Sequence, residues 1–414
     1  MCCGDYFQDK SMENSNSSLS QVTPYHPSGD PPGWLYRVWV EGSEVLVTQT
    51  PALASADYEK IAAAYAQMPP YCWVDEARFV GVHTAHAACV GNPEIKISVN
   101  EEVTSFRIHP QRRRIQGRQE GRSIFFTATP ATPRYYLVNI RGLPLLCILL
   151  DPPEEHVPAR DGEDVVDLQP YLDDLSDLGE AMRQAAQAVN GKGKTLYVPP
   201  GEYLSDTIRL EGLTRCQVYF APGVLIRTRI CGPGENIHRH GLWIDACQDL
   251  VINGRGCLDH QGYENFLGGR NDYKHGLLSW AVPSRLNPYL TESPLFVTNS
   301  QRITIDGLTV RNGRNFNVNI RRCDQVTLRR CKVITPPASV PEFTDGYQIN
   351  ACRDTLLEDC FAFCNDDCIA SGHYFYSHDD RESEGFTARG FVGWNHRANG
   401  IRLGFYTHYD MGSL

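Results

Sequence analysis

Between residues 195 and 395 one short pattern returns again and again, and it restricts the fold more than any other feature of the chain. TLYVPPGEYLSDTIRL (195–210), CQVYFAPGVLIRTR (216–229), DLVINGRGCLDH (249–260), RITIDGLTVRN (302–312), QVTLRRCKVIT (325–335), DTLLEDCFAFCN (354–365) and GFTARGFVGWN (385–395) share it. Each has an alternating strand of three or four residues, then a Gly, Arg or acidic step. A second short strand follows and ends near Asn, Thr or His. Ile303 to Val326 is 326 − 303 = 23 residues, and Val326 to Leu356 is 356 − 326 = 30. Repeats of about 20 residues and upward belong to solenoids, and a varying period is what loops on one face produce. The chain therefore reads as an all-β protein whose C-terminal part is a right-handed parallel β-helix. Aligning LVING with ITIDG pairs Leu250 with Ile303 and Ile252 with Ile305, with Val326 and Leu328 below them as a continuous inward stack.

Upstream the grammar differs. Residues 1–33 are polar and Ser/Asn-rich and read as a disordered tail. From Trp34 short alternating runs begin, and RVWVEGSEVLV reads as a hairpin with Val38 and Val40 facing Val45 and Val47. EIKISVN, TSFRIHP, SIFFTAT, YYLVNI and the apolar GLPLLCILLD follow, so 34–152 reads as a β-sandwich, with ALASADYEKIAAAYAQM an inserted helix. The acidic, proline-bearing DPPEEHVPARDGEDVV opens a linker, 153–172. The β-helix then occupies 173–414. Its first element is a helix with a capping-box start at Asp177 and Glu180 and an apolar stripe of Leu178, Met182, Ala185 and Val189, stopped at Gly191. Such a helix suits the open end of a solenoid, whose strand edges need cover. The connection 262–294 is too long for a plain turn and reads as a groove wall. HYDMGSL follows the last repeat closely, which reads as a solenoid truncated at its C-terminal end.

Composition excludes several classes. A net charge of −10 argues against nucleic acid as the partner. No apolar run reaches the ~18 residues of a membrane helix, and the N-terminus has no apolar core of a signal peptide. The fifteen cysteines are an odd number, so one at least is unpaired. Cys360, Cys364 and Cys368 have no CxxC pair or histidine at ligand spacing, and they read as small buried hydrophobes rather than a zinc site. Oligomeric state is not legible.

The chemistry concentrates in TDGYQINACRDTLLEDCFAFCNDDCI (344–369). Asp345 and Asp366 are 366 − 345 = 21 residues apart, about one coil. Successive coils pair ~4.8 Å apart, so Asp345 should lie above the adjacent Asp366 and Asp367. Neighbouring strand side chains face opposite ways, so the pair shares a side only if the chain bends there. Three clustered carboxylates raise one another's pKa, which gives a general acid beside carboxylates that hold a water. In inverting glycoside hydrolysis acid and base stand ~6.5–9.5 Å apart.

In order, ITIDGLTVRN, FNVNIRRCDQVTLRRCKVI, TDGYQI, NDDCIASG and NGIRLG resemble the β-helix glycoside hydrolases, the polygalacturonases and the related dextranase/isopullulanase family, over about residues 190–410. The resemblance implies a pectin-lyase-like solenoid, an inverting enzyme without cofactor or metal, a polysaccharide or oligosaccharide substrate and an extracellular setting. It makes Asp366 or Asp367 the acid, and Asp345 with the other the water activators. It adds Arg402 as a partner of the aspartates or of a sugar hydroxyl, His373 as an active-site histidine, and Tyr347, Trp394 and Asn350 as substrate contacts. An N-terminal sandwich is similar to the dextranase branch. Two departures bear on substrate: no Gly-His-Gly lies between Asp367 and Arg402, and Leu403-Gly404 follows Arg402 where pectin-cleaving members have a lysine two residues on. Both point to neutral glycans over polygalacturonate. The competing readings are a non-catalytic carbohydrate-binding β-helix and a β-helix lyase, which would need Ca²⁺ and a basic proton abstractor.

Overall fold

A computed structural model describes residues 22–27, 35–50, 82–130, 132–175, 177–229, 240–261, 293–313, 316–335, 344–372, 381, 383–395 and 398–404. The expected helix at 52–68, nearly all of the 262–294 connection, His373 and His396 lie outside the described residues.

From Val165 onward the chain winds into three parallel sheets of eight, seven and seven strands. Each coil contributes one strand to each sheet, so the expected β-helix is borne out. The coil register follows the aliphatic pattern: Leu250 pairs with Ile303 and Ile252 with Ile305, and these with Val326 and Leu328. All six are buried in one core that runs along the helix axis. The next coil slips by one from the reading above. Val326 pairs with Thr355, not Leu356, and Leu328 with Leu357. Side chains alternate with period two, so Thr355 and Leu357 point inward and Leu356 is left half-exposed.

The helix Leu178–Val189 closes the first coil. Asp177 Oδ1 accepts from the Glu180 N–H at 2.8 Å, and Leu178, Met182, Ala185 and Val189 are buried. The linker is shorter than expected, because Val165–Asp167 already pairs with Thr195–Val198 and Gln169–Asp174 is a helical turn packed on the capping helix. At the last strand, Ile401–Leu403, the inward-register residues Ile401 and Leu403 are 56% and 49% exposed.

The N-terminal strands form a six-stranded and a five-stranded sheet whose facing side chains, among them Val38, Ile97 and Phe126 against Ala87, Val138 and Ile148, share one core. The hairpin pairs Val38 with Val45, but Val47 starts a separate strand that joins the other sheet. Thr23 and Pro24, expected in the tail, pair with Ala88 and Ala87.

The two parts meet over an apolar seam. Val82, Tyr135, Leu137, Cys147 and Leu149 of the six-stranded sheet cover Ile334, Phe361, Phe363 and Val392 on the outer face of the second helical sheet. Within the seam Asp151 is fully buried. Its carboxylate meets the Lys332 ammonium, the Tyr135 hydroxyl at 2.8 Å, His86 Nε2 at 2.9 Å and Arg255 Nε at 3.3 Å. Gly307 lets Arg255 in: its φ is +88°, and a Cβ there would lie 1.8 Å from the guanidinium. Among the described residues no helix is long and apolar enough to cross a membrane. The eleven described cysteines are buried.

Candidate active site

The site forms at the corner that leads into the third sheet. Tyr347 pairs with Ile369 and Ile369 with Ile401, so the residues two before each fall in register: Asp345, Asp367 and Asn399, on three successive coils. The contact between coils is tight. The Gly346 N–H donates to Asp367 O at 2.8 Å, and a Cβ on Gly346 would stand 2.5 Å from Cys368 O. Only glycine fits this position of the Thr-Asp-Gly step. The chain bends through Asn365–Asp367, which turns both adjacent aspartates toward Asp345. One carboxylate oxygen from each of Asp345, Asp366 and Asp367 lies within 4.8 Å of the others.

The three carboxylates differ in their surroundings. Asp367 is fully buried; its Oδ1 accepts the Asn399 N–H at 2.8 Å and Asn399 Nδ2 at 2.9 Å. Arg402 Nε stands 2.8 Å from Asp367 Oδ2, but off the N–H direction, so the contact is one of charge and that oxygen keeps an acceptor site. Arg402 Nη2 is 3.8 Å from Asp345 Oδ1. Asp345 is buried, and its Oδ1 receives no hydrogen bond. Burial first, then the neighbouring Asp366 and Asp367 charges, push its carboxyl well above the usual range, against the pull of Arg402. Asp366 is the half-buried member, and its Oδ1 accepts the Asp367 N–H at 3.0 Å. Asn317 braces the corner from the preceding coil: Nδ2 donates to Asp345 O at 2.9 Å, while Oδ1 accepts the Gly313 N–H and the Thr335 hydroxyl.

The structure brings Arg402 to the aspartates but not every aromatic candidate. Tyr347 points into the solenoid core, where its hydroxyl donates to Cys331 O and Phe361 O at 2.9 and 3.1 Å. It has the same parity as Ile349, and that alone assigns it inward. Trp394 lies in the domain seam, edge-on to His109 at 4.9 Å, because its parity on the second sheet matches Val392. Both corrections have one cause: aromatics near the aspartates in sequence belong to faces turned away from them. Asn350 is on the outer face of the third sheet, buried, accepting Gln348 Nε2 at 2.8 Å. Gln348 and Arg402 share that face, with Ala370 between them. Sequence reasoning missed Asn317 and Asn399. The second had a usable signal: it opens the same Asn-Gly-Ile-Arg run that supplied Arg402.

The family model for glycosyl hydrolases family 28 matches residues 189–376. The matched stretch is similar to the glycosyl hydrolases of family 28. It includes all three aspartates and stops before Asn399 and Arg402. The chain is 28% identical over 206 residues to an exopolygalacturonase of Zea mays, covering 48% of this chain and 45% of that protein. It is also 28% identical over 182 residues to an exopolygalacturonase of Oenothera organensis, covering 43% and 46%. The chain spans about half the length of these relatives. Among solved structures, Dex49A from Penicillium minioluteum matches with a TM-score of 0.53 at 15% identity, over 92% of this chain and 72% of that one. That likeness is one of fold, and it takes in the N-terminal sheets as well as the coils.

Proposed function

We propose that this protein hydrolyses O-glycosyl bonds of a polysaccharide at the Asp345–Asp366–Asp367 corner. The observation that carries the reading is the convergence of three carboxylates from successive coils inside the stretch similar to family 28. Coupled carboxylates this close titrate as a group, and burial with the neighbouring Asp366 charge raises the Asp345 carboxyl well above its usual range, which favours a shared proton in the group. Asp366, the half-buried member, is the one open to solvent and delivers that proton to the leaving glycosidic oxygen. Asp345 Oδ1 and Asp367 Oδ2 are both buried acceptors without a hydrogen-bond donor; Asp367 takes the proton of the attacking water while Asp345 Oδ1 accepts its other hydrogen bond. One water is consumed, one hydroxyl stays on each product, and attack opposite the leaving group inverts the anomeric centre. Arg402 balances the charge of the ionised carboxylates, and Asn350 with Gln348 offers amides to sugar hydroxyls.

A second reading rests on one distance. The oxygens approach within 4.8 Å, tighter than the ~6.5–9.5 Å of most inverting sites and nearer the ~5–5.5 Å of retaining ones. In that case a carboxylate attacks the sugar directly and the configuration is kept. Proton NMR of the first-formed product separates the two: the opposite anomer supports inversion, the same anomer sinks it.

The names of the relatives favour a galacturonan as substrate, and an extracellular setting goes with that. The missing lysine after Arg402 favours a neutral chain. Incubation with polygalacturonate and with α-glucans, with and without chelator, decides between them. New reducing ends that survive chelation and vanish in Asp366→Asn support hydrolysis. Unsaturated, chelator-sensitive products would identify a Ca²⁺-dependent lyase, for which the same three carboxylates are a fitting donor set. Binding without any product would leave a carbohydrate-binding module.

A further inference from the structure

Asn399 has no part in the readings above, yet it makes two hydrogen bonds to one carboxylate of the site. We infer that Asn399 is the positioning residue of this centre: it clamps Asp367 Oδ1 from the following coil and so fixes the other carboxylate oxygen as the acceptor that meets the attacking water. The inference rests on the hydrolase reading for its meaning but on separate geometry for its support.

Two donors from one residue fall on one oxygen, the Asn399 N–H at 2.8 Å and Nδ2 at 2.9 Å from Asp367 Oδ1. Such a clamp needs a fixed backbone, and the coil ladder supplies it. Asn399 O accepts the Cys368 N–H at 3.0 Å, and Gly400 O accepts that of Ile369 at 3.2 Å. Asp367 is held on its other side as well, its carbonyl taking the Gly346 N–H at 2.8 Å. Asp345 lies one coil earlier in the same register and has no equivalent, since its Oδ1 receives no donor. The corner thus distinguishes two stacked carboxylates by what the next coil offers each. The clamp occupies Asp367 Oδ1 and leaves Oδ2 as the open acceptor. Among the described residues, the charged and titratable groups around Asp367 are Asp345 from the coil before, Asp366 beside it, Arg402 from the coil after, and the Cys364 and Cys368 thiols next to the corner.

The test uses the whole chain with ¹³C-labelled aspartate carboxyls. Wild type, Asn399→Ala and Asn399→Ser are titrated by NMR, and Asp367→Asn identifies the signals of the cluster. The expected result is that both Asn399 variants stay folded while the cluster takes up its next proton at higher pH, by about half a unit to one unit. On a hydrolysed substrate the acid limb of kcat/KM moves up with it, and kcat falls about tenfold at unchanged KM. An unshifted titration in a folded variant overturns the inference, even if activity drops. If wild type cleaves nothing, the hydrolase reading fails on its own, and the titration still decides whether the clamp exists.

Discussion

Asp151 and Asp345 are both buried carboxylates, and they are treated in opposite ways. At the domain seam Asp151 is surrounded by donors from both parts of the molecule: Lys332 and Arg255 from the helix, Tyr135 and His86 from the sandwich. Burial alone would raise it, but the Lys332 and Arg255 charges and the His86 hydrogen bond hold it well below the usual range. At the coil corner Asp345 faces two more carboxylates, and its proton is held more tightly than usual. A satisfied buried charge fixes a structure; an unsatisfied one stores chemistry. The seam is built for permanence, and the corner is where we propose proton transfer.

The largest effect should come from the corner. Asp366→Asn and Asp367→Asn are each expected to lower hydrolysis by about 10²–10⁴-fold with thermal melting nearly unchanged. A variant that keeps a tenth of the activity would move the chemistry elsewhere. The seam should respond in the reverse sense. Asp151→Ala strands Lys332 and Arg255 without their counter-charge, which costs about 3–5 kcal/mol in urea unfolding. The double variant Asp151→Asn with Lys332→Met should recover part of that loss. Full stability of Asp151→Ala would show that the seam does not tie the two parts together.

The pH dependence sharpens the contrast. Burial lowers His83 to about 4, and burial with the nearby Lys332 charge does the same for His86. Both remain neutral in the fold but take up protons in the unfolded chain below about pH 6.5. Their contribution is complete above that pH and is lost as pH falls toward 4, at about 1.4 kcal/mol per pH unit for each histidine. Asp151, whose folded pKa is depressed, adds to the loss only as pH falls below about 3.9. Melting curves between pH 8 and 4.5 should show the decline, and His86→Gln should make it shallower. A flat profile would mean that His83, packed on Tyr36 in the sandwich core, and His86, in the seam, are not sealed from water. The smallest effect has the opposite sign. Asp345 has a raised folded pKa, so its contribution is present below the unfolded value and lost as pH rises through the folded one. At neutral pH it is a net cost. Asp345→Asn should abolish activity while raising stability, on the order of 1 kcal/mol; destabilisation would show that Asp345 is a structural residue.

Much of the helix was legible because a solenoid writes its tertiary register into local sequence. Leu250, Ile303 and Val326 stack because each begins the same two-residue alternation after the same kind of corner. The pattern lost its phase at Thr355, a polar β-branched residue in an inward position, where Leu356 offered a false match. Parity was also enough to turn Tyr347 into the core, but proximity to the aspartates outweighed it in the reading. Phe361-Ala362-Phe363-Cys364 is apolar on both faces, a sign of a covered sheet, and all four residues are buried. What covers them was not legible: Asp151 lies 181 residues before Lys332, and nothing local to either names the other.

The spacing within TDGYQINACRDTLLEDCFAFCNDDCI determined that three carboxylates would come within reach of one another, because one coil returns the chain to the same corner. What each carboxylate became depended on its neighbours in space. Asn399 and Arg402 from the following coil meet Asp367, while Asp345 receives no donor on Oδ1. A sequence fixes where a group recurs along a regular path. The dielectric, the donors and the opposing charges that decide its protonation come from segments far along the chain, and only the packed coils bring them together.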